Sequence, residues 1–309
     1  MDKNRSIPFF NYPALFASQK QEMMAVLEDV LGRGAYILQK DLESLEANLA
    51  RFINVRQVYG VADGTNALLL ALRAAGVGPG DEVILPSHTY VATAAAVHYA
   101  GAAPVLVECG ADHLIDPEAA ENAVTSRTKA LMPVQLNGRT CDMDAIQTIA
   151  DRHGLIIIED AAQALGSKFK GQCAGTFGLA GTFSFYPAKV LGCFGDGGGV
   201  ATNDEAMGRR LSLLRDHGRD ENGEVVTWGT NCRLDNLQAA VLNFKLKTYE
   251  RDIARRREIA ARYDKAFKEI DDLTLPPPSS DGHHFDVFQN YEMEAGRREE
   301  LRPFLEKNG

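Results

Sequence analysis

Apolar positions recur along the chain in two rhythms. Over 18–31, Met23, Met24, Val26, Leu27, Val30 and Leu31 fall at helical spacing, and Gly32 and Gly34 close that helix. Leu42, Leu45, Leu49 and Phe52 share one face of a second helix over 42–52. Before them, residues 1–14 are polar, then aromatic and proline-containing, and read as an extended arm. From residue 57 short strand-like runs take over: Gln57–Ala62, Glu82–Leu85, Pro104–Val107, Ala130–Val134 and Leu155–Glu159. Between them lie helical runs at Ala67–Ala75, Val91–Tyr99, Pro117–Val124 and Met143–His153, with Asp63–Asn66 read as a turn. This alternation predicts βαβ units and a mostly parallel sheet covered on both faces. Leu155–Ile158 is apolar on both faces, as a central parallel strand should be. Gly181–Phe185 reads as a further strand.

From Leu234 the helical rhythm returns. Leu237, Ala240, Val241, Phe244 and Leu246 give one apolar face, and the pattern runs through Tyr249 to about Ile270. Leu275–Gly282 is a proline-rich loop, Val287–Met293 a candidate strand and Arg297–Lys307 a short helix. The expected fold class is α/β. Residues 1–245 would form a large domain with an N-terminal arm, and residues 246–309 a smaller C-terminal domain that is incomplete in this chain.

Composition narrows the function. The 309 residues carry a net charge of -9, which argues against a nucleic-acid partner. The basic run Arg251–Arg257 is interleaved with acids and reads as a solvated helix face. Five cysteines without CxxC spacing suggest neither a zinc site nor a disulfide framework, so no metal is expected. No apolar run approaches the ~18 residues of a membrane span. Met1 is followed by Asp2-Lys3-Asn4-Arg5 with no apolar stretch after it, so the expected location is the cytoplasm.

Ligands of open α/β sheets sit at the carboxyl ends of the strands, and four such ends carry suggestive groups. Asp63-Gly64-Thr65 combines a glycine, a hydroxyl and a helix N-terminus, a pattern for binding phosphate or simply a capped helix. Tyr90, in Pro86-Ser87-His88-Thr89-Tyr90, could stack on an aromatic ligand or belong to the core; His88 beside it is read as structural. Asp160 closes a buried strand and needs a cationic partner, either a protonated ring nitrogen or an Arg or Lys. Gln163 stands where it could bond the same ring. Ser184 offers another hydroxyl, and Lys189 sits in a Pro/Gly setting that suits a Schiff-base lysine, although most lysines are surface groups. Five glycines between Gly192 and Gly199 match neither GxxxxGK[ST] nor GxGxxG before a helix, and read as room for close packing. A phosphate site, a stacking ring, a carboxylate for a ring nitrogen and an imine-forming lysine together describe pyridoxal phosphate.

Several motifs carry a resemblance. Asp63-Gly64-Thr65-Asn66-Ala67-Leu68, Pro86 to Thr93, Glu159-Asp160-Ala161-Ala162-Gln163-Ala164, Ser184-Phe185-Tyr186-Pro187-Ala188-Lys189, Gly195 to Gly198 and Gly229 to Asp235 resemble the DegT/StrS-type sugar aminotransferases, pyridoxal-phosphate enzymes of fold type I. The resemblance covers essentially the whole chain, with Asp63 where the family usually has serine. It implies an aspartate aminotransferase-like fold in which Lys189 binds the cofactor covalently and Asp160 pairs with the pyridinium nitrogen. It further implies that Gln163 lies on the ring-hydroxyl side, Tyr90 stacks, and Gly64, Thr65 and Ser184 hold the phosphate. Asn231 would reach the cofactor phosphate of a neighbouring subunit, which implies a homodimer with shared sites. The implied reaction moves an amino group, from glutamate as donor, to a nucleotide-linked keto sugar. A pyridoxal-phosphate-binding regulator without turnover and an aminotransferase for a non-sugar cyclic ketone share the same residues.

Overall fold

The computed structural model describes residues 6–278 and 282–309. Residues 1–5 of the expected arm and 279–281 of the expected loop lie outside the described residues.

Helix α1 (Tyr12–Arg33) starts earlier than its apolar spacing predicts, because the Asn11 side chain caps it at Ala14 N and Pro13 sits in its first turn. Residues 12–14 of the expected arm are therefore helical. Helix α2 spans Lys40–Ile53. The alternating region then runs β1 (Gln57–Val61), α3 (Gly64–Ala74), β2 (Glu82–Pro86), α4 (Val91–Tyr99), β3 (Ala103–Val107), α5 (Pro117–Asn122), β4 (Thr128–Leu131), α6 (Met143–His153) and β5 (Ile156–Asp160). Gly64, Thr65 and Asn66, expected as a turn, are the first turn of α3. The Asp63 carboxylate accepts from Asn66 N at 2.8 Å, so the cap pulls the helix start forward.

A small hairpin, β6 (Lys168–Phe169) and β7 (Gln172–Cys173), precedes β8 (Ala180–Ser184) and β9 (Gly198–Thr202). The main sheet has the order β1-β9-β8-β5-β4-β2-β3. The five strands β3, β2, β4, β5 and β8 pair in parallel, and β9 pairs antiparallel with both β8 and β1. β5 is the middle strand, as its two-sided apolar pattern predicts. β9 was hidden in the glycine run. Those glycines are needed there: a Cβ on Gly198 would stand 2.3 Å from the Asp63 carbonyl oxygen, where the start of α3 crosses the strand.

Helix α7 (Glu205–Arg215) follows β9. The C-terminal helical pattern breaks into α8 (Asn236–Leu246) and α9 (Tyr249–Phe267). The chain then forms β10 (Leu273–Thr274), β11 (His284–Phe285), β12 (Glu294–Ala295) and α10 (Arg298–Asn308). Val287–Met293 is not the expected strand. Its backbone is spent on other partners: Val287 N donates to Gly138 O, Arg256 donates to Phe288 O and Gln289 O, and Phe288 has a left-handed φ of 51°. That also corrects the reading of the basic run. Arg256 and Arg257 are part-buried and hold residues 286–289, while Arg251 and Arg255 face solvent.

Two of the core clusters are relevant to the site. One joins α2 (Leu42, Leu45, Leu49) to Phe183, Phe185, Leu191, Tyr249 and Val287. The other packs α3 against β2 and β9. The strand ends of β5 and β8 thus rest on two well-filled cores, which limits their movement. Among the described residues, no helix is long and apolar enough to cross a membrane. The five cysteines are free.

Candidate active site

β5 ends on Asp160 and β8 on Ser184, side by side in parallel register with Asp160 opposite Thr182. Both face the same end of the sheet. After Ser184 the chain turns through Tyr186-Pro187-Ala188, and Lys189 N donates back to Tyr186 O at 2.8 Å. This turn returns the lysine over the strand ends. Lys189 is half-buried, and it interacts electrostatically with Asp160.

The two charges are disfavoured by the same cause. Burial lowers the Lys189 amine below its ordinary value, and the Asp160 charge only partly offsets this. Burial raises the Asp160 carboxyl, offset in part by Thr93, Ala162 N and Lys189. Asp160 is 5% exposed, and both its oxygens are held. Oδ2 accepts from Thr93 Oγ at 2.8 Å, and Oδ1 from Ala162 N at 3.1 Å. Thr93 is itself fully buried in the first turn of α4. The local sequence gives Thr93 no role, because its partner lies 67 residues away.

A cup opens beside this pair. The N-terminus of α3 packs against the end of β8 so closely that a Cβ on Gly64 would meet Ser184 Cβ at 2.8 Å. Asp63 caps Asn66 N, so the N–H groups of Gly64 and Thr65 have no acceptor among the described residues. Two backbone donors, the Ser184 hydroxyl and the positive end of the helix dipole meet there, with Thr65 in the first turn of α3. That donor set fits a phosphate.

Gln163 follows Asp160 by three residues. Its Oε1 accepts from Asn137 N at 2.7 Å, which leaves its NH2 to donate. Tyr90 is the N-cap residue of α4 and is 73% exposed, so it is no core aromatic. Asn231 is exposed in the loop after α7, where it bridges Asp216; it precedes Cys232, whose carbonyl accepts from Ala62 N beside the Asp63-Gly64 turn, and its side chain hydrogen-bonds to none of the other candidates among the described residues.

Further residues hold the lysine turn. Gln289, 9% exposed, grips both flanks of Lys189: its Nε2 donates to Ala188 O at 2.9 Å, and its Oε1 accepts from Val190 N at 3.0 Å. Lys245 donates to Gly192 O. Behind Asp160, fully buried Glu159 accepts from Gly175 N, Phe177 N, Gly178 N and Gln135 Nε2, fixing the loop before β8. Such long-range clamps leave no local sequence signal.

The arrangement matches known proteins. The family model described as the DegT/DnrJ/EryC1/StrS aminotransferase family matches residues 17–309. A pleiotropic regulatory protein of Geobacillus stearothermophilus is 41% identical over 98% of this chain and 82% of its own length. The dTDP-3-amino-3,4,6-trideoxy-alpha-D-glucose transaminase of Streptomyces venezuelae is 43% identical over 98% of this chain and 80% of its own. Among solved structures, S. venezuelae DesV superposes with a TM-score of 0.94 at 43% identity, covering 97% of this chain and 81% of DesV. NtdA from Bacillus subtilis with bound cofactor PMP gives 0.87 at 32% identity, over 98% and 70% of the two chains. The α/β fold with its mostly parallel sheet is thus that of solved aminotransferases.

Proposed function

The chain belongs to the DegT/DnrJ/EryC1/StrS aminotransferase family, and we propose that it is a pyridoxal-phosphate-dependent aminotransferase acting on a nucleotide-linked keto sugar, with an amino acid such as glutamate as donor. The observation that carries this reading is the coupled pair Lys189 and Asp160 beside the cup formed by Gly64, Thr65 and Ser184. The donor set fits the cofactor at both ends: hydroxyls and free N–H groups for a phosphate, a buried carboxylate for a ring cation.

When bound, the cofactor supplies an electron-accepting ring that stabilises the charge left when a substrate carbon loses its proton. The chain's residues do the rest. Asp160 holds the ring nitrogen in its protonated form, its own charge kept by Thr93 and Ala162 N. Lys189, whose amine burial holds below its usual value, attaches the cofactor and then carries the proton at its Nζ. Gln163 donates its NH2 toward the ring hydroxyl, and Tyr90 offers its exposed ring as a stacking face. Gly64, Thr65 and Ser184 fix the phosphate. We assign Asn231 to the phosphate of a second copy, which makes the working unit a homodimer. Residues 246–309 form the smaller domain, and nucleotide-linked substrates fit a reaction in the cytoplasm.

The relatives named for nucleotide-sugar transamination support the substrate class. The relative named as a regulatory protein keeps a second reading in view, a cofactor-binding regulator without turnover. The test is mass spectrometry of products from the cofactor-loaded chain with glutamate and a panel of nucleotide-linked keto sugars. An aminated sugar supports the enzyme; no aminated product from any sugar, with cofactor bound, supports the regulator.

A further inference from the structure

Three segments distant in sequence meet at one edge of the candidate site: the loop after β2 (His88), the loop before α5 (His113) and the irregular stretch after β11 (Glu292). His88 Nε2 lies 3.2 Å from Glu292 Oε1, and His113 Nδ1 lies 3.6 Å from Glu292 Oε2. The two rings are 5.4 Å apart, and one donor atom from each residue falls within 4.8 Å of the others. We propose that His88, His113 and Glu292 form a binding site for one divalent transition-metal ion of the zinc class. This inference is independent of the proposed transamination.

The spacing is the first support. Zinc holds nitrogen and oxygen ligands at about 2.0–2.1 Å, so two ligand atoms of a tetrahedral ion lie roughly 3.3 Å apart. His88 Nε2 stands 3.2 Å from Glu292 Oε1, close to that edge, and His113 Nδ1 stands 3.6 Å from the other oxygen, so the one carboxylate reaches both imidazoles. The outer contacts are the second. His113 Nε2 meets Glu294 Oε1 at 2.7 Å; with an ion bound, this carboxylate would take the Nε2 N–H and leave the Nδ1 lone pair for the ion. A ligating histidine usually gives its second N–H to such a carboxylate, which sets the tautomer. Asn137 Nδ2 donates to Glu292 Oε2 and orients the third ligand in the same way.

The chemistry of the donors selects the ion. Two neutral imidazoles and one carboxylate offer a single negative charge, which leaves a divalent ion net positive. Imidazole nitrogen favours zinc, cobalt, nickel or copper over magnesium and calcium. The His88 side chain is 52% exposed, so water can complete the fourth position. Cysteine spacing gave no hint of this site, since none of its ligands is a cysteine and the three come from separate parts of the chain.

Its location gives the ion a consequence. His88 precedes Tyr90 by two residues. Glu292 follows Gln289, which clamps the Lys189 turn, by three. Asn137 links Glu292 to Gln163. A bound ion would tie the C-terminal stretch to the loop that carries Tyr90 and resist its opening.

The experiment uses the tag-free, cofactor-loaded full chain, stripped with a chelator and titrated with Co(II) and with Zn(II) against a chromophoric chelator. The expected result is one ion per chain, tetrahedral Co(II) absorption and a raised melting temperature. Glu292→Gln and His88→Ala should each abolish the site, and Glu294→Gln should weaken it by about 10–100-fold. His88 is a surface side chain, so its substitution leaves the fold intact and the comparison valid. Unchanged affinity and stoichiometry in both Glu292→Gln and His88→Ala, or no tetrahedral Co(II) spectrum with the wild-type chain, overturns the proposal.

Discussion

Thr93→Val isolates what holds the Asp160 charge. The substitution keeps the shape of a fully buried side chain and removes one hydroxyl. Thr93 Oγ has three oxygen neighbours: Asp160 Oδ2 at 2.8 Å, Thr89 Oγ at 2.8 Å and Tyr90 O at 3.0 Å. It owns one proton. The carboxylate is the strongest acceptor of the three, so Thr93 donates to Asp160 and Thr89 donates to Thr93. A hydrogen bond to a charged group contributes about 1.5–3 kcal/mol. Its loss therefore raises the Asp160 pKa. Burial already pushes that carboxyl up, so the variant adds to the shift and favours the protonated form. A protonated Asp160 cannot hold a ring cation. The glutamate half-reaction, followed by cofactor absorbance across pH, should slow by about 10–100-fold near neutrality and recover in part at higher pH. Thr93→Ser, which restores the hydroxyl, should stay close to wild type. A Thr93→Val chain that matches wild type at every pH would refute the role assigned to Thr93.

Four other outcomes are expected. Gln289→Ala frees both flanks of Lys189 and should lower kcat about tenfold, roughly 1.4 kcal/mol, with the cofactor still bound; Gln289→Glu, which keeps only the acceptor, should be no better. Glu159→Ala strands several buried donors and should cost on the order of 4 kcal/mol in urea unfolding, while Glu159→Gln keeps an acceptor and should cost less. Asp160 has a folded pKa above its unfolded value, so its stabilising contribution is present below the unfolded value of 3.8 and is lost as pH rises through the raised folded value. Cofactor-free Asp160→Asn should therefore have the higher urea midpoint at pH 7, converging with wild type in acid, although it is inactive. Burial pushes the Cys193 and Cys232 thiols up to about 11, and Cys141 is raised further, so thiol labelling of the native chain at neutral pH should spare these three until the chain is unfolded.

The regular parts of the fold were legible because their signals are local. The bounds of α4 and α6 match the apolar spacing, and β5 advertised its central place by being apolar on both faces. Prediction failed where a distant partner overrides the local pattern. β9 begins on two glycines, and the start of α3 crosses it at Gly198, so its first half reads as a loop in the sequence. Residues 287–293 read as a candidate strand, yet the carbonyls of Phe288 and Gln289 are taken by Arg256 of α9. The candidate site divides in the same way. Asp160, Ser184 and Lys189 stand at strand ends or on the turn beyond, where a motif shows them. Thr93, Gln289 and the ligands of the proposed metal site act through contacts that only folding creates. Asn231 takes its role only from the resemblance, since its exposed side chain makes no hydrogen bond to the other candidates among the described residues.

The central claim is that Lys189 and Asp160 form a working transamination centre. The most direct measurement adds glutamate to the cofactor-loaded chain and follows cofactor absorbance together with 2-oxoglutarate release. The wild-type chain should convert its cofactor to the amine form and release one 2-oxoglutarate per site, and Lys189→Ala should do neither at a measurable rate. Equal conversion by wild type and Lys189→Ala would contradict the account.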